Sequence, residues 1–116
     1  MPTRTIFINL NPNGASTDDS GVINMMNVKR MSVKSCTFDG TATTKKHFII
    51  SNMPGNDIVG IFSGVANIQL PQNPIVFDYQ QPVNFQGTYT FSIYDYAGAL
   101  TAITGNIVLH LEFETL

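Results

Sequence analysis

Residues 107–113 alternate strictly. Ile107, Leu109, Leu111 and Phe113 interleave with Val108, His110 and Glu112, the period of two expected for a strand with one buried face. Residues 88–96 repeat the pattern, with Tyr89, Phe91 and Ile93 on one side and Thr88, Thr90, Ser92 and Tyr94 on the other. Between the two runs, Ala97–Gly105 is small and Gly-bounded, so it reads as a hairpin connection. The spacing predicts that 88–96 and 106–114 pair as antiparallel neighbours.

Shorter runs carry the same signal. In residues 4–10, Ile6, Ile8 and Leu10 alternate with Thr5, Phe7 and Asn9. Residues 22–26 and 28–38 read as two strands or one bent strand. Residues 47–52 and 57–63 flank Met53-Pro54-Gly55-Asn56, which is strong turn chemistry. Residues 65–70 and 75–79 are separated by Pro71-Gln72-Asn73-Pro74. Pro54, Pro71, Pro74 and Pro82 all mark expected strand ends. Asn11–Gly21 is too polar to pack and reads as an exposed loop. Its adjacent carboxylates, Asp18 and Asp19, lack the alternating oxygen spacing of a calcium loop. No helical stripe and no internal repeat is visible. About eight short strands with turns between them predict an all-β fold, an antiparallel β-sandwich of the single jelly-roll kind, as one domain over residues 1–116.

Composition narrows the function classes. Only 12% of the 116 residues are charged, against about 25% in average soluble domains. Thr, Asn, Ser and Gln fill the shortfall. All six Lys and Arg lie at or before Lys46, whereas the later residues hold five of the eight acidic groups. No apolar run approaches the roughly 18–20 residues that cross a bilayer, so membrane insertion is not expected. The N-terminus has no cleavage pattern of a secretory signal. A pI near 5.4 argues against a dedicated nucleic-acid partner. One cysteine, Cys36, excludes an internal disulfide framework and a thiolate-rich zinc site. Intracellular synthesis is the simplest reading.

The residues for an active site are sparse. His47 and His110 are the only histidines. His110 falls on the face opposite Ile107, Leu109 and Leu111, and reads as an outward or interface-facing side chain. His47 follows Lys45 and Lys46 at a strand start and reads as a solvated histidine. No Cys or Asp pattern completes a metal set. Cys36 has Lys34 as a same-face neighbour, which would favour its thiolate, but a lone strand cysteine is more often a small buried apolar residue. Asp78 and Asp95 read as strand-end or turn carboxylates. No phosphate loop, dinucleotide fingerprint or serine elbow is present. The expectation is a non-enzyme without cofactor or metal.

Binding surfaces have more candidates. Lys29, Arg30, Lys34, Lys45 and Lys46 place five positive charges within 18 residues. Strand parity sets Arg30 and Lys34 on one face and Lys29 on the other, so a single nucleic-acid groove is not expected. These cations read as solvated surface, or as an interface with the carboxylates of residues 57–114 on a neighbouring copy. Tyr79, Tyr94 and Tyr96 belong to a late cluster of aromatics. They read as core or edge packing, or as a protein contact or carbohydrate platform, because tyrosine joins an apolar body to a polar tip.

The order of elements resembles a known family. The run Val28-Lys29-Arg30-Met31-Ser32-Val33-Lys34-Ser35-Cys36-Thr37-Phe38 is followed by Lys46–Ser51. The chain closes with Gly87–Asp95, a Gly/Ala connection, and Gly105-Asn106-Ile107-Val108-Leu109-His110-Leu111-Glu112-Phe113. This resembles small single jelly-roll capsid proteins, of penton or minor capsid type, from large icosahedral double-stranded DNA viruses. The resemblance implies a sandwich of two four-stranded sheets, no catalysis, symmetric assembly with itself and with other capsid proteins, and a place in the virion. Low charge suits this, since neutral polar groups cost less to desolvate than ions. Residues 47–116 also lack the Lys that guards exposed sheet edges. The alternative is a trimeric lectin-like or receptor-binding head, whose partner would be a carbohydrate. The candidate interface residues are Lys29, Arg30, Lys34, Lys45, Lys46, Tyr79, Tyr94, Tyr96 and His110.

Overall fold

The alternation seen in the sequence becomes a set of inward-facing side chains in the computed structural model. The structure describes residues 2–11, 17–41, 46–55, 57–63, 74–95, 97–100 and 103–116. Six strands follow in chain order: β1 (Thr3–Leu10), β2 (Thr17–Thr41), β3 (Lys46–Ser51), β4 (Ile58–Ser63), β5 (Ile75–Asp95) and β6 (Thr104–Thr115). They form one antiparallel sheet in the order β1-β6-β2-β5-β3-β4. The fold is all-β, as the periodicity predicts. The expected strand 65–70 lies outside the described residues.

Two of the strands are long enough to belong to both halves of the molecule. The first half of β2 pairs with the second half of β5, from Thr17↔Ser92 to Met25↔Phe85. Beyond the bend, β2 pairs with β6 from Val28↔Thr115 to Thr41↔Thr104. The sheet therefore folds over itself. One layer holds β1, β6, the second half of β2 and the first half of β5. The facing layer holds the first half of β2, the second half of β5, β3 and β4. This is the sandwich arrangement, built from a single hydrogen-bonded sheet.

The bend has a local cause on each strand. Asn27 takes φ 55°, a left-handed conformation that Asn tolerates better than most residues. Its N–H donates to Asn84 Oδ1 at 2.9 Å, and its carbonyl accepts from the Leu116 N–H at 3.1 Å. On β5 the register jumps from Val28↔Val83 to Arg30↔Asp78. Pro82 sits inside that jump. Proline was expected to end a strand, but here the bulge asks no ladder hydrogen bond of it, and the strand continues through.

The core fills the space between the layers. Ile107, Leu109, Leu111 and Phe113 of β6 are fully buried, as are Phe85, Phe91 and Ile93 of β5. Aromatic rings bridge the layers: Phe85 meets Phe113 edge-on at 5.1 Å, and Phe38 of β2 meets Phe62 of β4 at 4.8 Å. At Gly60 of β4 a Cβ would lie 3.1 Å from Cys36 Sγ and 3.2 Å from Leu109 Cδ2. That closeness lets β4 settle onto β2 and β6. Within the other layer, Gly40 and Gly105 face each other in register. A Cβ on Gly105 would stand 2.4 Å from the Asp39 carbonyl oxygen, so this crossing point excludes any side chain.

Three local expectations change. Residues 88–96 and 106–114 are not neighbours, because β2 lies between β5 and β6. Asp95 at the end of β5 and Thr104 at the start of β6 lie in different layers. Residues 17–21 belong to β2 instead of a loop. The region 22–38 is one bent strand, the second of the two readings open from sequence.

Candidate assembly surfaces

Part of the charge asymmetry along the chain closes within the fold, through Arg30 and Lys34. Antiparallel pairing of β2 with β6 and β5 brings early cations beside late carboxylates. Arg30 bonds Asp78 of β5 through Nε and lies 3.5 Å, Nη1 to Oε2, from Glu114 of β6. Lys34 Nζ is 3.8 Å from Glu112 Oε1. The hydrogen bond that Arg30 donates to Asp78 and the two carboxylate charges raise the Arg30 pKa further. Arg30 and Lys34 share the outer face of one layer, as parity predicted. Lys29 is half-buried at the bulge opposite residues 79–82. Lys46 is exposed at the start of β3. Lys45 lies outside the described residues.

On the same outer face, His110 is half-buried and stacks on Phe7 of β1, with ring centroids 4.7 Å apart and planes 23° apart. Phe7 itself is 66% exposed. Its outward position follows from the inward turn of Ile6, Ile8 and Leu10, yet its exposure makes β1 apolar on its solvent side as well. β1 ends the sheet. Among the described residues, nothing pairs with its outer edge, and Arg4 is its one charged residue.

The other layer has its own apolar outer patch. Phe48 of β3 stacks on Tyr94 of β5 at 5.4 Å with planes 9° apart. Tyr94 bridges to Leu100, which is 57% exposed. Beside them is an open depression of about 220 Å³ lined by Lys46, His47, Phe48, Ile58 and Ile61.

The tyrosines do not form one platform. Tyr79 faces inward, and its hydroxyl donates to the Pro54 carbonyl oxygen at 2.7 Å. Burial pushes its pKa up to about 12. Tyr94 faces outward on the opposite layer, and Tyr96 lies outside the described residues. Asp95 acts as the turn carboxylate that its position implied: Oδ1 accepts from the N–H groups of Ala97 and Ala99 at 2.9 and 3.0 Å.

His47 is a correction. It is 1% exposed and stacks on Phe62 at 5.1 Å, not solvated. Its parity with the buried Ile49 and Ser51 turns it inward despite the preceding lysines. Burial lowers its pKa, opposed in part by Asp95. Cys36 is buried, and desolvation raises its thiol to about 12. The lysine at i−2 is engaged with Glu112 instead of activating it. Among the described residues, no three His, Cys, Asp or Glu gather as metal ligands. No helix there is long and apolar enough to cross a membrane.

No family model matches the chain, and neither does any curated protein. Solved structures with some similarity include viral capsid proteins and a pilus. The disulfide-linked pilus of Bacillus endospore appendages is 13% identical, with 99% of this chain and 88% of that chain covered, at a TM-score of 0.36. The virus-like particle of the Macrobrachium rosenbergii extra small virus is 7% identical over 99% of this chain and 80% of that chain, at 0.35. A serine protease of Aeromonas sobria is 10% identical at 0.46, but this chain spans 28% of it. At such scores these likenesses decide neither family nor activity.

Proposed function

We propose that the chain is a non-enzymatic structural subunit that assembles with copies of itself. In its finer form the proposal is a capsid or capsid-associated subunit, of penton or minor capsid type, carried in the virion. The observation that carries the assembly reading is the outer edge of β1, which no strand pairs among the described residues. Eight residues of extended backbone with one charge and an exposed Phe7 form the kind of edge that soluble monomers guard with Lys, Pro or a covering loop. The low share of charged residues, 12% of the chain, supports it, since neutral polar groups cost less to desolvate than ions. The capsid form rests on the strand patterns of the sequence. Electron microscopy of the purified native protein tests the proposal. The expected result is discrete, symmetric particles of uniform size. A field of single small domains at micromolar concentration refutes it.

A further inference from the structure

Among the described residues, the outer edge of β1 presents a row of backbone N–H and C=O groups with no strand beside it, the template on which another extended strand pairs. We propose that this strand is β1 of a second copy, paired antiparallel about a two-fold axis at Phe7. The proposal rests on the assembly reading above and names the surface that would serve it.

Side chains along β1 are self-complementary in that register. With Phe7 opposite Phe7 of the second copy, Thr5 faces Asn9 and Ile6 faces Ile8. Every pair then joins residues from the same face of the sheet, so Ile6 and Ile8 extend the core side. On the outer side, the two Phe7 rings meet, each already backed by its own His110. Aromatic pairs directly opposite on antiparallel strands favour association. Such a contact is isologous and closes at two copies.

Charge selects this arrangement over its rivals. Arg4 faces Leu10 of the second copy, six residues or roughly 20 Å from the other Arg4 at strand rise. That is beyond the roughly 8 Å over which exposed charges interact at physiological salt. A parallel in-register pairing would set Arg4 against Arg4.

Cysteine cross-linking reads the register directly, and the native thiol leaves a clean background because Cys36 is buried. The full chain carrying Phe7→Cys should form an intermolecular disulfide under mild oxidation, since opposed Cα atoms at about 4.5–5.5 Å suit a disulfide. Because Phe7→Cys also removes the ring at the contact, the double variant Thr5→Cys/Asn9→Cys provides a second reading. It should cross-link roughly a thousandfold faster than Thr5→Cys or Asn9→Cys alone, as paired thiols meet at about millimolar effective concentration against micromolar in solution. A charge test complements it. Thr5→Lys/Asn9→Lys should split the pair, and Thr5→Glu/Asn9→Lys should keep it. If native mass shows an oligomer while neither cysteine design cross-links above the single variants, the β1 pairing is wrong and the assembly reading stands. If native mass shows a monomer, both fail.

Discussion

The facing of the two layers can be tested at Phe85 and Phe113. Both side chains are fully buried, one from the second half of β5 and one from β6, with ring centroids 5.1 Å apart and planes at 80°. Truncating either ring to alanine should cost about 3–5 kcal/mol, from lost transfer energy and the cavity left behind. At about 2.1 cal/mol/K of unfolding entropy per residue, that corresponds to a melting temperature lower by roughly 12–20 °C. The whole fold is worth only roughly 6–17 kcal/mol at 0.05–0.15 kcal/mol per residue, so the double alanine variant should not fold. The cycle is therefore run with leucine. Phe85→Leu and Phe113→Leu keep apolar volume and delete the edge-to-face contact, which is worth about 0.5–1.5 kcal/mol beyond its area. Guanidinium unfolding followed by tyrosine fluorescence measures all four proteins, since the chain has four Tyr and no Trp. The expected double variant is less destabilised than the sum of the singles by that coupling. Additivity to within about 0.3 kcal/mol would mean that the rings do not meet and that the sheet does not fold over itself as described.

Other perturbations probe the bend, the tight crossing and the buried histidine. Gly105→Ala sets a Cβ 2.4 Å from the Asp39 carbonyl oxygen at a backbone φ of 140°; a loss above about 2 kcal/mol is expected by thermal melting. At Asn27, valine should cost about 1–2 kcal/mol because a β-branched residue resists the left-handed conformation, while glycine should stay within about 0.5 kcal/mol; denaturant midpoints separate the two. His47 has a folded-state pKa below its ordinary 6.5 because burial disfavours the imidazolium. The unfolded chain therefore takes up the proton first as pH falls. Stability should be full above about pH 6.5 and decline as pH drops toward the folded value. His47→Phe should remove that slope from melting curves recorded between pH 7.5 and 5.

Much of the fold was legible because a strand's faces are a local property. The alternation at 107–113 and 88–96 identified the buried residues of β6 and of the second half of β5. Strand partners are not local. The small, Gly-bounded segment after Asp95 has hairpin chemistry, yet a 25-residue β2 reaches both neighbours and takes the place the hairpin would have given β6. Pro82 misled for a related reason: proline forbids a ladder bond, and only the register jump opposite Lys29 shows that none was needed.

The candidate surface was legible in part. His110 was expected outward, and it is, but its stacking on Phe7 depends on the β1–β6 register. Phe7 carried a readable signal, since Ile6, Ile8 and Leu10 claim the inward face of the same strand. His47 carried one too, through its parity with Ile49, which outweighs the polar residues before it. The ion pairs of Arg30 and Lys34 join residues about 50 to 80 positions apart, and no local pattern encodes them. They turn a charge asymmetry that resembled a binding surface into internal neutralisation.

Assembly is tested most directly by the molar mass of the native protein in solution, measured by light scattering over a concentration series at physiological salt. A discrete multiple of 12.7 kDa, held on dilution into the low micromolar range, is the expected result. A mass of 12.7 kDa across the whole series would contradict it.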